Sequence, residues 1–261
     1  MKRISSLLFS LGLLPLASCQ KVIDLDVHNA APQYVIEGSI TDAEGPYYLR
    51  ISKTASLDAD GNNLPVSNAL VLLRDDLGQT DTLSETIPGQ YQTSHIQGMP
   101  GHTYYVEVSA DGQSFAAVAT MPQPVQVDSL YLLTAPSMGK ELLQPVAVFK
   151  DPAGVRNYYR LVLYKNGVAN KQLFVIDDQF TDGQTIKMPL PDAEVTYTAT
   201  DHIRVELQGI SQAMYLYYSS LQQTLGQSSA APANPVRQFS GGNALGYFSA
   251  HTLSSREFVV Q

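Results

Sequence analysis

Residues 103–120, TYYVEVSADGQSFAAVAT, decide the fold class of this chain. The first half places Tyr104, Val106 and Val108 at alternate positions, which is the period of a strand with one buried face. An Asp-Gly pair at 111–112 follows, and such a pair accepts the positive φ angles of a tight hairpin turn. The remaining residues return as a second strand. The stretch therefore predicts an antiparallel hairpin in a β-rich fold.

The turn that enters this hairpin, residues 99–104, has the pattern hydrophobic-Pro-Gly-x-x-Tyr. It resembles the corner of fibronectin-type and immunoglobulin-like sandwiches, in which the tyrosine hydroxyl bonds back to the preceding turn. With the strand-like runs at 69–73 and 89–91, residues 33–121 resemble a transthyretin-like or immunoglobulin-like β-sandwich. We therefore predict an N-terminal sandwich domain over 33–121.

The second half of the chain starts a new strand pattern after a proline-stiffened linker predicted at 122–127. Two strands face each other across Asn166-Gly167, another hairpin signal. Two terminal strands are predicted at 246–250 and 257–260. The fold prediction is thus mainly β, with two sandwich-like domains, the second spanning 128–261.

One helix is predicted near 211–226 in the second domain. Ser211 occupies an N-cap position and Gly226 follows the end. The apolar residues that recur at helical spacing are Met214, Tyr217 or Tyr218, Leu221 and Leu225. We expect this apolar stripe to pack on the second sheet; the alternative is a surface for a partner.

Composition narrows the classes of function. The 261 residues carry a net charge of −8, which argues against nucleic acid, because phosphates require a basic surface. Tyrosine is frequent (15 residues) and tryptophan is absent. Most of the tyrosines suit strands with one buried face, and a tyrosine-lined sugar or peptide platform is the alternative.

The N-terminus has the layout of a secretory signal. Lys2 and Arg3 precede an apolar run that is too short to span a membrane, and Leu-Ala-Ser-Cys at 16–19 resembles the bacterial lipobox. Cys19 is the one cysteine in the sequence. We predict a signal peptide over 1–18, acylation of Cys19 as a membrane anchor, and a tether over 19–32; the alternative is an ordinary signal with a chance cysteine.

Motifs for catalysis or metal binding are weak. The sequence has no Gly-x-Ser-x-Gly elbow or phosphate loop, and its five histidines are scattered singly, which favours surface or turn positions. Asp58, Asp60 and Asn62 alternate as calcium ligands would, but the loop lacks the glycine and the glutamate of a calcium motif. A polar turn is the favoured interpretation. No catalytic residue, metal or cofactor is predicted.

Three segments resemble one known family: CQKVIDLD at 19–26, YVIEGSI at 34–40 and SGGNALGYFSA at 240–250. They are similar to the lipoproteins of Bacteroidota grouped as domain of unknown function 4249. The resemblance implies an outer-membrane lipoprotein, often encoded beside a TonB-dependent transporter that imports glycans or peptides. Gln20 stands where that family usually has Glu, which leaves the membrane face open, with the cell surface slightly favoured.

These observations predict a non-enzymatic outer-membrane lipoprotein that assists a TonB-dependent transporter or captures its ligand. A structural or adhesive envelope protein is the alternative. A hydrolase is a third hypothesis, because carboxylates from distant strands could still meet in the fold.

Overall fold

The computed structural model describes residues 32–54, 63–137, 140–192, 195–225 and 235–261. The elements in chain order are β1 (Tyr34–Thr41), β2 (Tyr48–Lys53), β3 (Leu64–Pro65), β4 (Leu70–Asp75), β5 (Thr80–Thr82), β6 (Ser84–Ile87), β7 (Gln90–Gln92), β8 (Thr103–Ala110), β9 (Gln113–Thr120), β10 (Val127–Ser137), β11 (Lys140–Lys150), β12 (Tyr158–Lys165), β13 (Val168–Ala169), β14 (Phe174–Asp177), β15 (Thr185–Pro189), β16 (His202–Ile210), α1 (Gln212–Leu225) and β17 (Ala244–Val259). Within the described ranges, strands dominate and one helix is present, so the prediction of a mainly β fold is confirmed.

The predicted hairpin and its corner are both present. β8 and β9 pair antiparallel from Thr103↔Thr120 inward, and Asp111 at the turn has φ +48°. Tyr104 is fully buried, and its hydroxyl accepts the Met99 N–H at 2.6 Å. Gly101 supplies the positive φ (+84°) that the corner requires. The turn therefore anchors the start of β8 as its resemblance to a sandwich corner implied.

A ten-stranded sheet runs through both halves of the chain, in the order β13–β12–β16–β17–β1–β2–β7–β6, with β14 beside β12 and β3 beside β2. β17 links the halves, because its first part pairs parallel with β1 and its second part pairs antiparallel with β16. Gly246 is required there, since a Cβ would lie 2.0 Å from the Ile36 carbonyl oxygen.

The prediction of two separate terminal strands is wrong, because β17 is continuous. Its polar middle is stabilised by partners distant in sequence. The Ser254 hydroxyl accepts the Val127 N–H at 2.9 Å and donates to the Gln126 side chain at 3.1 Å. The sequence pattern suggested a break because these partners come from the segment between the two halves.

The first core lies between the β5–β4–β8–β9 sheet and the β17–β1–β2–β7 part of the large sheet. Phe239, Ala244, Phe248 and Ala250, from the C-terminal end of the chain, are buried in it. The residues from Ala31 onward accordingly form one compact unit. The domain boundaries placed around 122–127 stay a prediction.

The second core lies between the β10–β11–β15 sheet and strands β12 and β16. The segment predicted as a linker contributes Val125 and Val127 to this core. Each of the two cores thus lies between the large sheet, which both cores share, and one of the two smaller sheets.

Helix α1 packs on the face of the large sheet that points away from the two cores, where it buries Met214, Tyr217 and Tyr218. The Ser211 hydroxyl accepts the Met214 N–H at 3.3 Å, as expected of an N-cap. The predictions of this helix and of its cap are confirmed. The predicted stripe packs on the sheet through Met214, but Leu225, at the last residue of the helix, is exposed, so the prediction is wrong for that residue.

Candidate functional site

An open cleft of about 550 Å³ lies beside β6 and β7, at the end of the large sheet. Its walls are the loop before β2, the two strands, and the loop that follows β7. Most of the lining side chains carry hydroxyl or amide groups, and they include Ser84, Thr86, Gln92, Ser94 and Gln97. The cleft therefore offers many hydrogen-bonding groups to a ligand.

Asp81 holds the loop on one side of the cleft. One oxygen of this buried carboxylate accepts the N–H groups of Ser94, His95 and Ile96 at 2.8, 2.9 and 3.1 Å, and the other accepts the Ser94 hydroxyl. Burial by itself would raise the pKa of Asp81, but these hydrogen bonds outweigh it and lower the pKa to about 2. The loop is therefore held by a charged group at neutral pH.

Tyr47 ties the loop before β2 to the same wall. Its N–H donates to the Thr93 hydroxyl at 2.9 Å, and the Thr93 N–H donates back to the Tyr47 carbonyl at 3.0 Å. The Tyr47 hydroxyl donates to the Ala43 carbonyl and accepts the Gly98 N–H. Because both loops are fixed by such contacts, the cleft is formed before any ligand arrives.

Ser94, His95 and Asp81 lie together but lack the geometry of a catalytic triad. In a triad the carboxylate and the serine contact opposite nitrogens of the histidine ring. Here His95 Nδ1 is 3.1 Å from the Ser94 hydroxyl and 3.6 Å from Asp81, while Nε2 contacts the Thr80 carbonyl at 3.2 Å. Since the Ser94 hydroxyl also donates to Asp81, this group positions the loop and leaves the serine unactivated.

An exposed tyrosine lies next to one of the residues that line the cleft. Tyr48 on β2 is the cross-strand partner of Gln92 on β7, so the two side chains stand next to each other on the outer face of the sheet. Tyr48 is 46% exposed. Arg50 and Glu37 occupy the next row of the same face and are also exposed.

A cluster of three carboxylates lies in the other half of the protein. One oxygen from each of Asp151, Asp178 and Asp182 lies within 4.8 Å of the others, and the first two residues are buried. The sequence left open whether carboxylates from distant strands meet. The structure brings Asp151 and Asp178 together because β12 and β14 pair beside the end of β11.

The contacts of this cluster give it a structural role. Asp151 accepts the Tyr159 hydroxyl and the Gly183 N–H, at 2.5 and 2.9 Å. Asp178 accepts a backbone N–H, and its second oxygen lies 3.3 Å from Arg156 Nε. The carboxylates therefore join the loops at this edge, and Arg156 supplies a compensating positive charge.

The predicted site residues fall largely outside the described ranges. Cys19 and the calcium candidates Asp58, Asp60 and Asn62 all do, so acylation and the polar-turn interpretation stay predictions. The expectation of surface or turn histidines is wrong for His251, which lies in β17 and is buried beside Ser249. The strand pattern around His251 did not indicate this burial, because the element that covers this face of the sheet is helix α1, which comes from an earlier part of the chain.

No pattern in the sequence predicts the cleft. Its walls come from three separate segments, and no segment alone contains a motif. The available signal was the alternation around buried Tyr91, which predicts that Gln90 and Gln92 point away from the core. In the described part of the chain, no helix has the length and apolar character needed to cross a membrane.

Comparison with protein families places these features in context. The profile described as Domain of unknown function (DUF4249) matches residues 20–257. The chain belongs to this family. The DUF4249 match covers the buried residues of both cores, the cleft and the closing segment at 240–250, so the predicted membership of this family is confirmed, while the lipoprotein character that the resemblance implied stays a prediction. A search of curated proteins found no match.

Proposed function

We propose that this protein is a non-enzymatic, lipid-anchored binding protein of the outer membrane, which captures a ligand for a TonB-dependent transporter. The cleft beside β6 and β7 is the observation that carries the proposal. Its volume of about 550 Å³ lies within the range of small-molecule sites, roughly 300–1,000 Å³. Its two loops are held in advance by Asp81 and Tyr47. A preformed cleft binds with less loss of conformational entropy than one that must order on binding.

The sequence supports the anchor and the location. The lipobox at 16–19 and the apolar run before it suit export followed by acylation of Cys19. Several acyl chains, each stabilising membrane association by about 0.8 kcal/mol per buried CH₂, hold a folded domain on a bilayer without a spanning helix.

The transporter partner follows from the family context and is tested by purification. A tagged full-length protein, extracted from membranes with a mild detergent, should bring down a TonB-dependent barrel identified by mass spectrometry. A Cys19→Ala variant serves as the control, because it should leave the membrane fraction and lose the barrel. Recovery of the wild-type protein without any barrel would contradict the partnership. Protease treatment of intact cells, in the same strain, decides between the two membrane faces.

An adhesive or structural role is the second candidate, and one surface favours it. The β10–β11 hairpin continues beyond the segment that pairs with β15, and Tyr131 and Leu133 are exposed together on one of its faces. Apolar side chains grouped on a surface suit protein contacts. A deletion strain that grows normally on polymeric nutrients but has a leaky envelope would favour this role over ligand capture.

A further inference from the structure

We infer that the cleft and Tyr48 together form a binding site for a neutral oligosaccharide. This inference rests on the proposed role in ligand capture and specifies the chemical class of the ligand. It follows from the charges that line the cleft, from its hydrogen-bonding groups, from the exposed ring beside it and from the shape of the adjacent sheet edge.

The charges of the lining disfavour an anionic ligand. The ionisable side chains among the lining residues are Glu44 and His95, with no lysine or arginine among them. A phosphate, sulfate or uronic acid in the cleft would therefore meet the Glu44 carboxylate, whereas the exposed Arg50 lies in the next row of the sheet and is not among the lining residues. A neutral ligand avoids this repulsion.

The hydrogen-bonding groups of the lining match hydroxyl groups. Ser84 and Thr86 can both donate and accept, and Gln92 adds an amide oxygen and an amide nitrogen. Sugar hydroxyls also both donate and accept, so each finds a partner whichever way it is oriented. The apolar residues of the lining are few, mainly Pro46 and Ile96, and Ile96 is itself buried. A lipid or another largely apolar ligand would leave the lining polar groups unpaired.

Tyr48 supplies the flat surface that a sugar ring needs. Tyr48 is exposed and is the cross-strand neighbour of Gln92, which lines the cleft, and a tyrosine offers a large contact area at low cost in conformational entropy. The carbon-bound hydrogens of a pyranose can lie against this ring while its hydroxyls reach Gln92 and Ser84. Polar groups around an exposed aromatic ring are the combination expected for an amphipathic ring of this kind.

The adjacent sheet edge disfavours an extended peptide. A peptide that adds to a sheet needs a regular row of free backbone groups. β6, the edge strand beside the cleft, has only four residues, and its register with β7 shifts between Glu85 and Ile87. Such an irregular short edge blocks the pairing of a further strand.

The test uses the full-length protein in detergent micelles and isothermal titration calorimetry. The probes are maltohexaose, cellohexaose, xylohexaose and mannohexaose, with hexagalacturonate as the anionic probe and hexaalanine as the peptide probe. At least one neutral sugar should bind, and the other two probes should not. Tyr48→Ala and Gln92→Ala should each weaken sugar binding about tenfold, since one lost hydrogen bond or ring contact has roughly that effect.

Tyr105→Ala is the matched control, because Tyr105 is 40% exposed on β8 of the other sheet, away from the cleft. Its affinity for the sugar should equal that of the wild type. Tyr48→Leu, which keeps apolar bulk but removes the ring, covers the case in which Tyr48→Ala does not fold. The inference is overturned if none of the four neutral sugars binds, if hexagalacturonate or hexaalanine binds instead, or if folded variants at positions 48 and 92 bind as the wild type does. Recovery of a transporter barrel without sugar binding would overturn this inference alone, whereas sugar binding without a barrel would overturn only the transporter partnership.

Discussion

The outer face of the large sheet has a covered part and an open part. Over β12, β14 and β17, helix α1 buries Met214, Tyr217 and Tyr218 against the strands. Over β2 and β7 the same face keeps Tyr48 and Arg50 exposed, next to the cleft. One continuous sheet thus presents a packed surface at one end and an accessible surface at the other.

The covered part shows what burial demands of polar side chains. Arg160 donates to the Gln208 side chain and to the Tyr218 hydroxyl, both at 3.2 Å, and its guanidinium lies 4.5 Å from the Tyr218 ring. His251 is held neutral next to Ser249. The open part has no such constraint, because water satisfies its polar groups until a ligand replaces that water. The difference indicates that the helix stabilises one end of the sheet, while the other end stays accessible to solvent.

Removing the helix contact should have the largest effect on the covered part. Met214 is fully buried, so Met214→Ala leaves a cavity and should lower the free energy of unfolding by about 3 to 4 kcal/mol. Leu216→Ala, at a position that is 45% exposed on the same helix, should change it by less than about 0.5 kcal/mol. Urea denaturation measures both, and equal losses would contradict the packing described for α1.

Removing Asp81 should destabilise the loop at 94–96, which forms one wall of the cleft. Asp81→Ala leaves the N–H groups of Ser94, His95 and Ile96 without their acceptor and should cost about 3 kcal/mol. Asp81→Asn keeps an acceptor oxygen and should cost less. Because the pKa of Asp81 is lowered to about 2, its contribution is present above pH 3.8 and is lost as the pH falls toward 2. Thermal melts of the two variants, with hydrogen exchange of the loop, test this; unchanged exchange in Asp81→Ala would refute the role.

Acidification should destabilise the covered part of the sheet at a higher pH than the one at which the contribution of Asp81 is lost. Burial, and then the positive charge of Arg160, lowers the pKa of His251 from 6.5 to about 4. The unfolded chain therefore binds this proton first, so stability is lost as the pH falls below 6.5, and the loss is complete near pH 4. Between pH 7 and pH 5 we expect a decrease of about 2 kcal/mol. His251→Gln should flatten the pH profile in this window, and an identical slope in that variant would exclude His251 as the cause.

The cap of α1 should give the smallest effect. Ser211→Ala removes the acceptor of the Met214 N–H and should cost about 1 kcal/mol. Ser219→Ala, within the same helix, is the matched control and should be neutral or slightly stabilising, because alanine has the higher helix propensity. A larger loss for position 219 than for position 211 would argue against capping by Ser211.

Much of the local structure could be predicted from the chain. The alternation around Tyr104, the Asp-Gly turn, the corner at 99–104 and the cap at Ser211 each depend on neighbours close in sequence, and each is present. The continuity of β17 could not be predicted, because Ser254 is stabilised by residues about 130 positions earlier. The cleft could not be predicted for the same reason, since Asp81 reaches the loop at 94–96 only after β5 and β7 join different sheets.

The sequence by itself determined the β class, the helix at 212–225 and the family, since these depend on local period, turn chemistry and short motifs, and the anchor at Cys19 stays a prediction. The tertiary structure alone decided that one sheet serves both cores, that three carboxylates form a structural cluster, and that one end of the sheet stays open. Those outcomes depend on contacts between segments that are distant in sequence. Such contacts are stabilised by burial and hydrogen bonding, and they form only when the whole chain packs.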